Sequence, residues 1–315
     1  MKYSVISFIS TVAFCSSVNA ANLYVNASGS GANCFEENPC PTIQMAIAHA
    51  GAGDTINVAA GVYDENVFVP PGKDGLTISG AGKEETIVRS AGGRSGVFAP
   101  PTVPVDAIFQ IVSKDVTIEK LAAEHPAGQA VKRDLGFFVT PFAQNTTIQK
   151  CKIVRYRTGE LSFGPGSRGV FVIRAGGVVI SKNVLRGTYQ DHIHVPGHDM
   201  EIVKNDVADA PRLGIVVIQE TATSNNHNNI VANNKVTNSG SDAIQIQSDN
   251  NVIVKNIVIG NGGAAIKLCG VGTTGDCINP FDGWADANDN TVSKNVSSSN
   301  GVDGVVDNGT GNIVD

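Results

Sequence analysis

The chain has 315 residues, 23 Lys and Arg against 29 Asp and Glu, a formal net charge of −6, 35 glycines and only 6% aromatic residues. This acidity, without a recognised binding motif, argues against a nucleic-acid partner. No stretch is long and apolar enough to span a bilayer, and the length is ample for a sizeable core.

The chain opens Met1-Lys2, runs apolar from Val5 to Phe14, and reaches small residues at Val18 and Ala20. That pattern predicts a secretory signal peptide over 1–20 and an exported, secreted or periplasmic, domain over 21–315. Phe14 stands where a lipidated cysteine needs a small neighbour, so Cys15 is not read as an anchor. A first strand is expected at 22–26. Residues 41–50 place Ile43, Ala46, Ile47 and Ala50 on one helical face, with Pro41 suited to the first turn. This segment reads as a cap over the open strand edges at one end of a stacked fold. Short strands follow at 54–59, 66–69, 75–79 and 86–89.

From there an asparagine returns in one phrase. Asn183, Asn205, Asn234, Asn256 and Asn295 each follow a short apolar strand, at spacings of 22, 29, 22 and 39 residues. A period of this size predicts a solenoid, and 22 residues suits one turn of a parallel β-helix with loops inserted in the longer turns. The asparagines fall on the turn after the second strand of each coil. There each would bond its own turn and the next asparagine, a structural role. Cys151 occupies the same phase in Ile148-Gln149-Lys150-Cys151 and reads as a buried small residue. Cys34/Cys40 and Cys269/Cys277 are close loop pairs, which in an exported protein predict two local disulfides.

The first strand of each coil aligns by inward pairs: Val170/Val172, Ile193/Val195, Ile215/Val217, Ile244/Ile246 and Ile266/Leu268. Strand side chains alternate faces, so the residue between each pair points out. The outward column is then Phe171, His194, Val216, Gln245 and Lys267, with Gln110 and Phe138 in earlier coils.

The blocks Leu23-Tyr24-Val25, Pro41-Thr42-Ile43-Gln44, Gly53-Asp54-Thr55-Ile56 and the run Ala243 to Asn251 resemble the right-handed parallel β-helix superfamily, which includes pectate-lyase-like enzymes. The resemblance covers nearly the whole mature chain. It implies an all-β, single-domain right-handed parallel β-helix, here of roughly eight or nine coils, with the short N-terminal capping helix. It says little about the reaction, since many chemistries and some non-enzymes share the scaffold.

The densest polar cluster runs Tyr189-Gln190-Asp191-His192-Ile193-His194, then His198-Asp199 after the Pro196-Gly197 turn. By alternation His192 and His194 are both expected on the outer face. Residues 150–190 carry Lys150, Lys152, Arg155, Arg157, Arg168, Arg174, Lys182 and Arg186 against Glu160 alone. A local basic field on an acidic protein suggests an anionic partner. Arg155, Arg157, Arg168 and Arg174 are the candidates, with Arg212 and Lys267 beyond. Together these features match β-elimination of an acidic polysaccharide. An arginine must neutralise the uronate carboxylate, and a histidine can remove the adjacent proton near neutral pH. The expected roles are His194 as base with His192 beside it, Tyr189 as acid, Arg174 or Arg212 on the carboxylate, and Lys267, Phe171 and Gln245 in the binding surface. The outward columns show no set of aspartates of the polygalacturonase-like kind, which disfavours paired-carboxylate hydrolysis.

The sequence points to no certain cofactor. Calcium is possible at Asp286-Ala287-Asn288-Asp289-Asn290, near Asp282 and the lone Trp284, although Thr291 and Ser297 replace the glycine and glutamate of a full calcium loop. Two other readings stay open: a non-catalytic, adhesive β-helix that binds glycans, and a periplasmic metal binder using His192, His194 and His198.

Overall fold

The structure is a computed structural model that describes residues 20–92, 105–129, 133–158, 166–219, 227–270, 277 and 287–315. The expected signal peptide lies outside these residues apart from Ala20, as do Asp282, Trp284 and Asp286. No helix among the described residues is long and apolar enough to cross a membrane.

The chain winds through three parallel sheets in strict rotation. Sheet I has 11 strands and sheets II and III have nine each. Each coil takes one strand from I, then II, then III, so nine complete coils stack between the strand Asn22–Val25 at one end and Ile313–Val314 at the other. Within the three sheets every described strand pairing is parallel and nearly every register is unbroken. The predicted inward pairs are at most 2% exposed and form a single core cluster down the axis.

The cap is a helix, Ile43–His49, slightly shorter than 41–50. Thr42 caps it by accepting a hydrogen bond from the Met45 amide. The carboxylate of Glu65, from the first coil, accepts from the Ile43 and Gln44 amides at 2.8 and 2.9 Å. Acceptors at a helix N-terminus satisfy donors that have no intrahelical partner. Ile43, Ala46 and Ile47 face the core as expected. The strand Gly61–Asp64 was not anticipated. Its two apolar residues, Val62 and Tyr63, are adjacent, so no alternation marks it.

The asparagine ladder is as the spacing predicts. The backbone N–H and Nδ2 of Asn183 donate to Oδ1 of Asn205, and the pattern repeats through Asn234 and Asn256 to Asn295 at 2.8–3.1 Å. The other Nδ2 hydrogen goes to a sheet I carbonyl, as from Asn234 to Ile202 at 2.8 Å. Cys151 occupies the same phase and its amide donates to Asn183. The residue before each rung, for example Lys182, Lys204 or Lys255, has a positive φ near 60°, which turns the corner between sheets I and II. Two further ladders line the other corners. Asn229, Asn251, Asn290 and Asn312 join sheet III to sheet I. Asn261 and Asn300 join sheet II to sheet III, with Ser239 donating into the first.

Both disulfides form, Cys34–Cys40 and Cys269–Cys277, and Cys151 is free and buried. Burial pushes its thiol up to about 12, so it is an inert packing residue.

Asn234→Ala and Asn256→Ala each leave buried backbone groups without partners. Each is expected to lower unfolding free energy by about 1–3 kcal/mol in urea titrations. An unchanged midpoint in both would show that the ladder does not bear on stability.

Candidate functional site

The outward column is in register along sheet III: Phe68, Gln110, Phe138, Phe171, His194, Val216, Gln245 and Lys267 occupy successive strands. It is not an open groove. Phe171 is 8% exposed, His194 3%, and Gln110, Val216 and Gln245 not at all. The middle strands of sheet III are therefore buried on both faces, and Val105, Ala107, Leu135, Phe138 and Phe171 make a second, outer apolar cluster.

At the centre of this face Asp191 and His194 meet. The His194 Nδ1 lies 3.0 Å from Asp191 Oδ2. Arg212 donates to both oxygens of the same carboxylate, Nε to Oδ1 at 2.8 Å. Arg168 Nε lies 3.8 Å from Asp191, and its guanidinium covers the Phe171 ring at 4.5 Å. The Phe171 ring is edge-on to His194 at 5.6 Å and stacked with Phe138 at 5.8 Å. Burial opposes ionisation of Asp191, but His194 and Arg212 outweigh it and hold the carboxyl well below its usual range. Burial first, then Arg168, pushes His194 down from 6.5 to about 4, against Asp191. At neutral pH the imidazole is uncharged. An ionised Asp191 requires the proton on Nδ1, which leaves Nε2 as the basic nitrogen.

Several expected site residues stand elsewhere. His192 does not share a face with His194. The strand keeps one register on its neighbour, Arg168 level with Asp191 and Val170/Phe171 with Ile193/His194. A Cβ at Gly169, the position level with His192, would meet the core residue Leu185 at 3.0 Å. His192 accordingly lies inside, fully buried, edge-on to Tyr189 at 6.1 Å, with neither ring nitrogen hydrogen-bonded. Tyr189 is also internal. Its hydroxyl meets His125 Nδ1 at 2.8 Å, and burial raises its pKa well above 10, so it cannot serve as an acid on the outer face. Arg174 is exposed at a turn with φ 52°, its amide donating to Pro196. Gln245 donates to Cys269 Sγ at 3.1 Å, and Lys267 Nζ lies 3.8 Å from Asp242.

Much of the basic field is neutralised internally, by carboxylates the sequence reading passed over. Asp106 and Asp134 sit side by side on adjacent strands. Arg157 Nη1 bonds both, at 2.8 and 2.9 Å, and Arg155 Nε bonds Asp134 at 2.8 Å. Arg155 and Arg157 are therefore not available to an anionic partner. The arginines at 155 and 157, two apart near the end of a strand, were the signal that buried acids would be needed nearby. Asp106, His125 and Asp134 place donor atoms within 4.8 Å of one another. With two arginines on the two carboxylates, however, the group is already neutral and has no charge left to attract a cation. The His192/His194/His198 metal set does not converge either: His192 is in the core, His194 holds Asp191, and His198 pairs with Asp199 in an exposed contact at 2.8 Å. In the loop compared with a calcium site, Asn290 is a ladder rung and the Asn288 side chain accepts from Thr310, so neither is a spare ligand.

A family model described as the right-handed β-helix region matches residues 135–315. No curated protein matches the chain. Among solved structures, a pectin methylesterase mutant in complex with a hexasaccharide is similar with TM-score 0.53 and 12% identity, over 94% of this chain and 93% of that one. A pectin methylesterase from Erwinia chrysanthemi gives 0.52 and 11%, over 94% and 93%. The Dettilon tailspike protein gives 0.56 and 16%, over 80% of this chain and 45% of that one. At these identities the likeness is one of fold.

Two outcomes follow from the buried titratable groups. His192 and His194 are both depressed to about 4, so the unfolded chain binds their protons first as pH falls. The stability they contribute is complete above about pH 6.5 and is lost toward pH 4, with Asp191 adding further loss below its unfolded value. Thermal melts across this range should fall steadily, and His194→Gln should flatten the slope. An unchanged slope would place His194 in solvent. Tyr189→Phe removes the hydroxyl that meets His125 and should cost about 1–3 kcal/mol in chemical denaturation. No loss would mean that this contact is not made.

Proposed function

Because the chain belongs to the right-handed β-helix family, we propose that its sheet III face acts on an acidic polysaccharide by β-elimination, with His194 as the base. The observation that carries this reading is the Asp191–His194 pair held by Arg212 beside Arg168 and Phe171. Asp191 fixes the imidazole with Nε2 unprotonated, the state that can accept a proton near neutral pH. The proton leaves the carbon next to a uronate carboxylate. The guanidinium groups of Arg168 and Arg212, gathered beside Asp191, favour that carboxylate and the negative charge that develops on it. The bond to the leaving oxygen then breaks, a carbon–carbon double bond forms, and the imidazolium is the proton source at hand for the leaving oxygen. Two similar solved structures are pectin methylesterases, one holding a hexasaccharide, which is in keeping with an acidic glycan as ligand.

The burial of the column favours a second reading, in which the same ion cluster is structural and the protein binds glycans without cleaving them. A screen of acidic polysaccharides for unsaturated products, read by ultraviolet absorbance, separates the two. On the first reading one polysaccharide yields such products, and His194→Ala lowers kcat by about 10²–10⁴-fold in a variant that still folds. Near-full activity in that variant removes His194 from the mechanism. Binding without cleavage across the panel selects the second reading.

A further inference from the structure

The opposite side of the molecule carries a cavity of about 300 Å³ at its N-terminal end. Its floor is the outer face of sheet I, where Tyr24, Asn57 and Ser79 stand in register on three successive strands. Its wall is the loop after the first strand, through Asn26, Glu36 and Pro39. This loop is built to hold its shape. Cys34 and Cys40 close it by a disulfide, Tyr24 exchanges backbone hydrogen bonds with both cysteines, and the Gly31 amide donates to Pro39. Any side chain at Gly31 would strike the Asn38 carbonyl, with a Cβ only 1.8 Å from its oxygen. The wall is therefore fixed before any ligand arrives, and preorganisation spares the ordering cost of binding.

The polar floor continues beyond the cavity. From Ser79 the same column runs to Glu119, Gln149 and Ser181. Ser79 and Gln149 both donate to the Glu119 carboxylate, at 3.0 and 2.9 Å. Past Ser181 the column becomes Val203, Ala232 and Val254. The hydrogen-bonding strip is thus confined to the coils next to the cavity. Successive side chains are set by the strand spacing of about 4.8 Å, close to the rise of one sugar residue in an extended glycan.

We propose that this cavity is a saccharide-binding site for a neutral oligosaccharide, distinct from the sheet III face, with one sugar ring seated against Tyr24 and the chain lying along the strip. An aromatic ring beside amide and hydroxyl groups supplies what a pyranose needs: an apolar face to stack on and donors and acceptors for its hydroxyls. Glu119 is paired with Lys120 at 2.7 Å, but Glu36 in the wall and Glu37 beside it place negative charge against Tyr24, which disfavours an acidic glycan at this end. The two faces would then take opposite ligand classes, an acidic glycan on the Arg168–Arg212 side and a neutral one here.

The test uses the full chain with both disulfides intact, titrated calorimetrically with cellohexaose, xylohexaose and maltohexaose, and with hexagalacturonate as the acidic control. At least one neutral hexasaccharide is expected to bind below about 1 mM. Tyr24→Ala should weaken it by about tenfold or more, and Tyr24→Phe by no more than about threefold. Asn57→Ala and Ser79→Val are half-buried surface changes and carry the test if Tyr24→Ala does not fold. His194→Ala should leave neutral binding unchanged, whatever it does to an acidic polysaccharide. The proposal is overturned if no neutral hexasaccharide binds, if binding survives Asn57→Ala together with Ser79→Val, or if hexagalacturonate competes for the same site.

Discussion

The corners of the coil are the constraint on which the rest of this structure depends. Strands satisfy their backbone groups by pairing with the coils above and below, and most turn amides do the same, but the amide of the buried residue at each corner needs a side-chain acceptor. In the C-terminal coils asparagine solves this at all three corners. Stacked asparagines accept from the amide and carboxamide of the neighbour one coil away and donate to a nearby carbonyl, as from Asn234 to Ile202 or Asn229 to Gly197. The coils are thereby locked in register, and the outer columns of sheets I and III are straight as a consequence.

Toward the N-terminus the solution changes. At the corner from sheet II to sheet III, where Asn261 and Asn300 stack in the later coils, the earlier coils bury Asp106, Asp134, Arg155, Arg157 and His125. Paired charges in such a place are tolerated because each carboxylate meets a guanidinium and the remaining groups are hydrogen-bonded, His125 to Tyr189 and Asp106 to Ser90. This explains why a run rich in arginine and lysine does not amount to a basic surface. Two of its arginines are consumed in holding a corner, and Arg186 is paired with Asp206. Near the middle of sheet III, Arg168 and Arg212 gather around Asp191.

The same logic governs the candidate site. His194 projects from the middle of its strand as its phase dictates, but its chemistry is set by neighbours on other coils. Arg212 fixes Asp191, Asp191 fixes the histidine tautomer, and Arg168 with burial keeps the ring neutral. The burial that depresses its pKa also limits access to it, so one physical cause lies behind both the catalytic and the structural readings of this face.

The sequence alone determined the fold, the coil rotation, both disulfides and the outer column of sheet III. Each depends on a period or on a local spacing: Asn183 to Asn295 for the ladder, Val170/Val172 and their equivalents for the inward pairs, Cys34 with Cys40 for the staple. The two other ladders were legible by the same means, since Asn229, Asn251 and Asn290 repeat the spacing of Asn234, Asn256 and Asn295. What only the tertiary structure decided is which polar side chains meet. Strict alternation put His192 beside His194, but His192 lies in the core with Tyr189, and Asp191 is the partner that His194 meets. Asp106 and Asp134 are 28 positions apart in the chain, and nothing near either one forecasts that Arg157 will lie between them. Pairing of charges across coils depends on loop lengths that set which residues share a level. Those lengths vary from coil to coil, so the periodic signal that specifies the backbone carries no information about them.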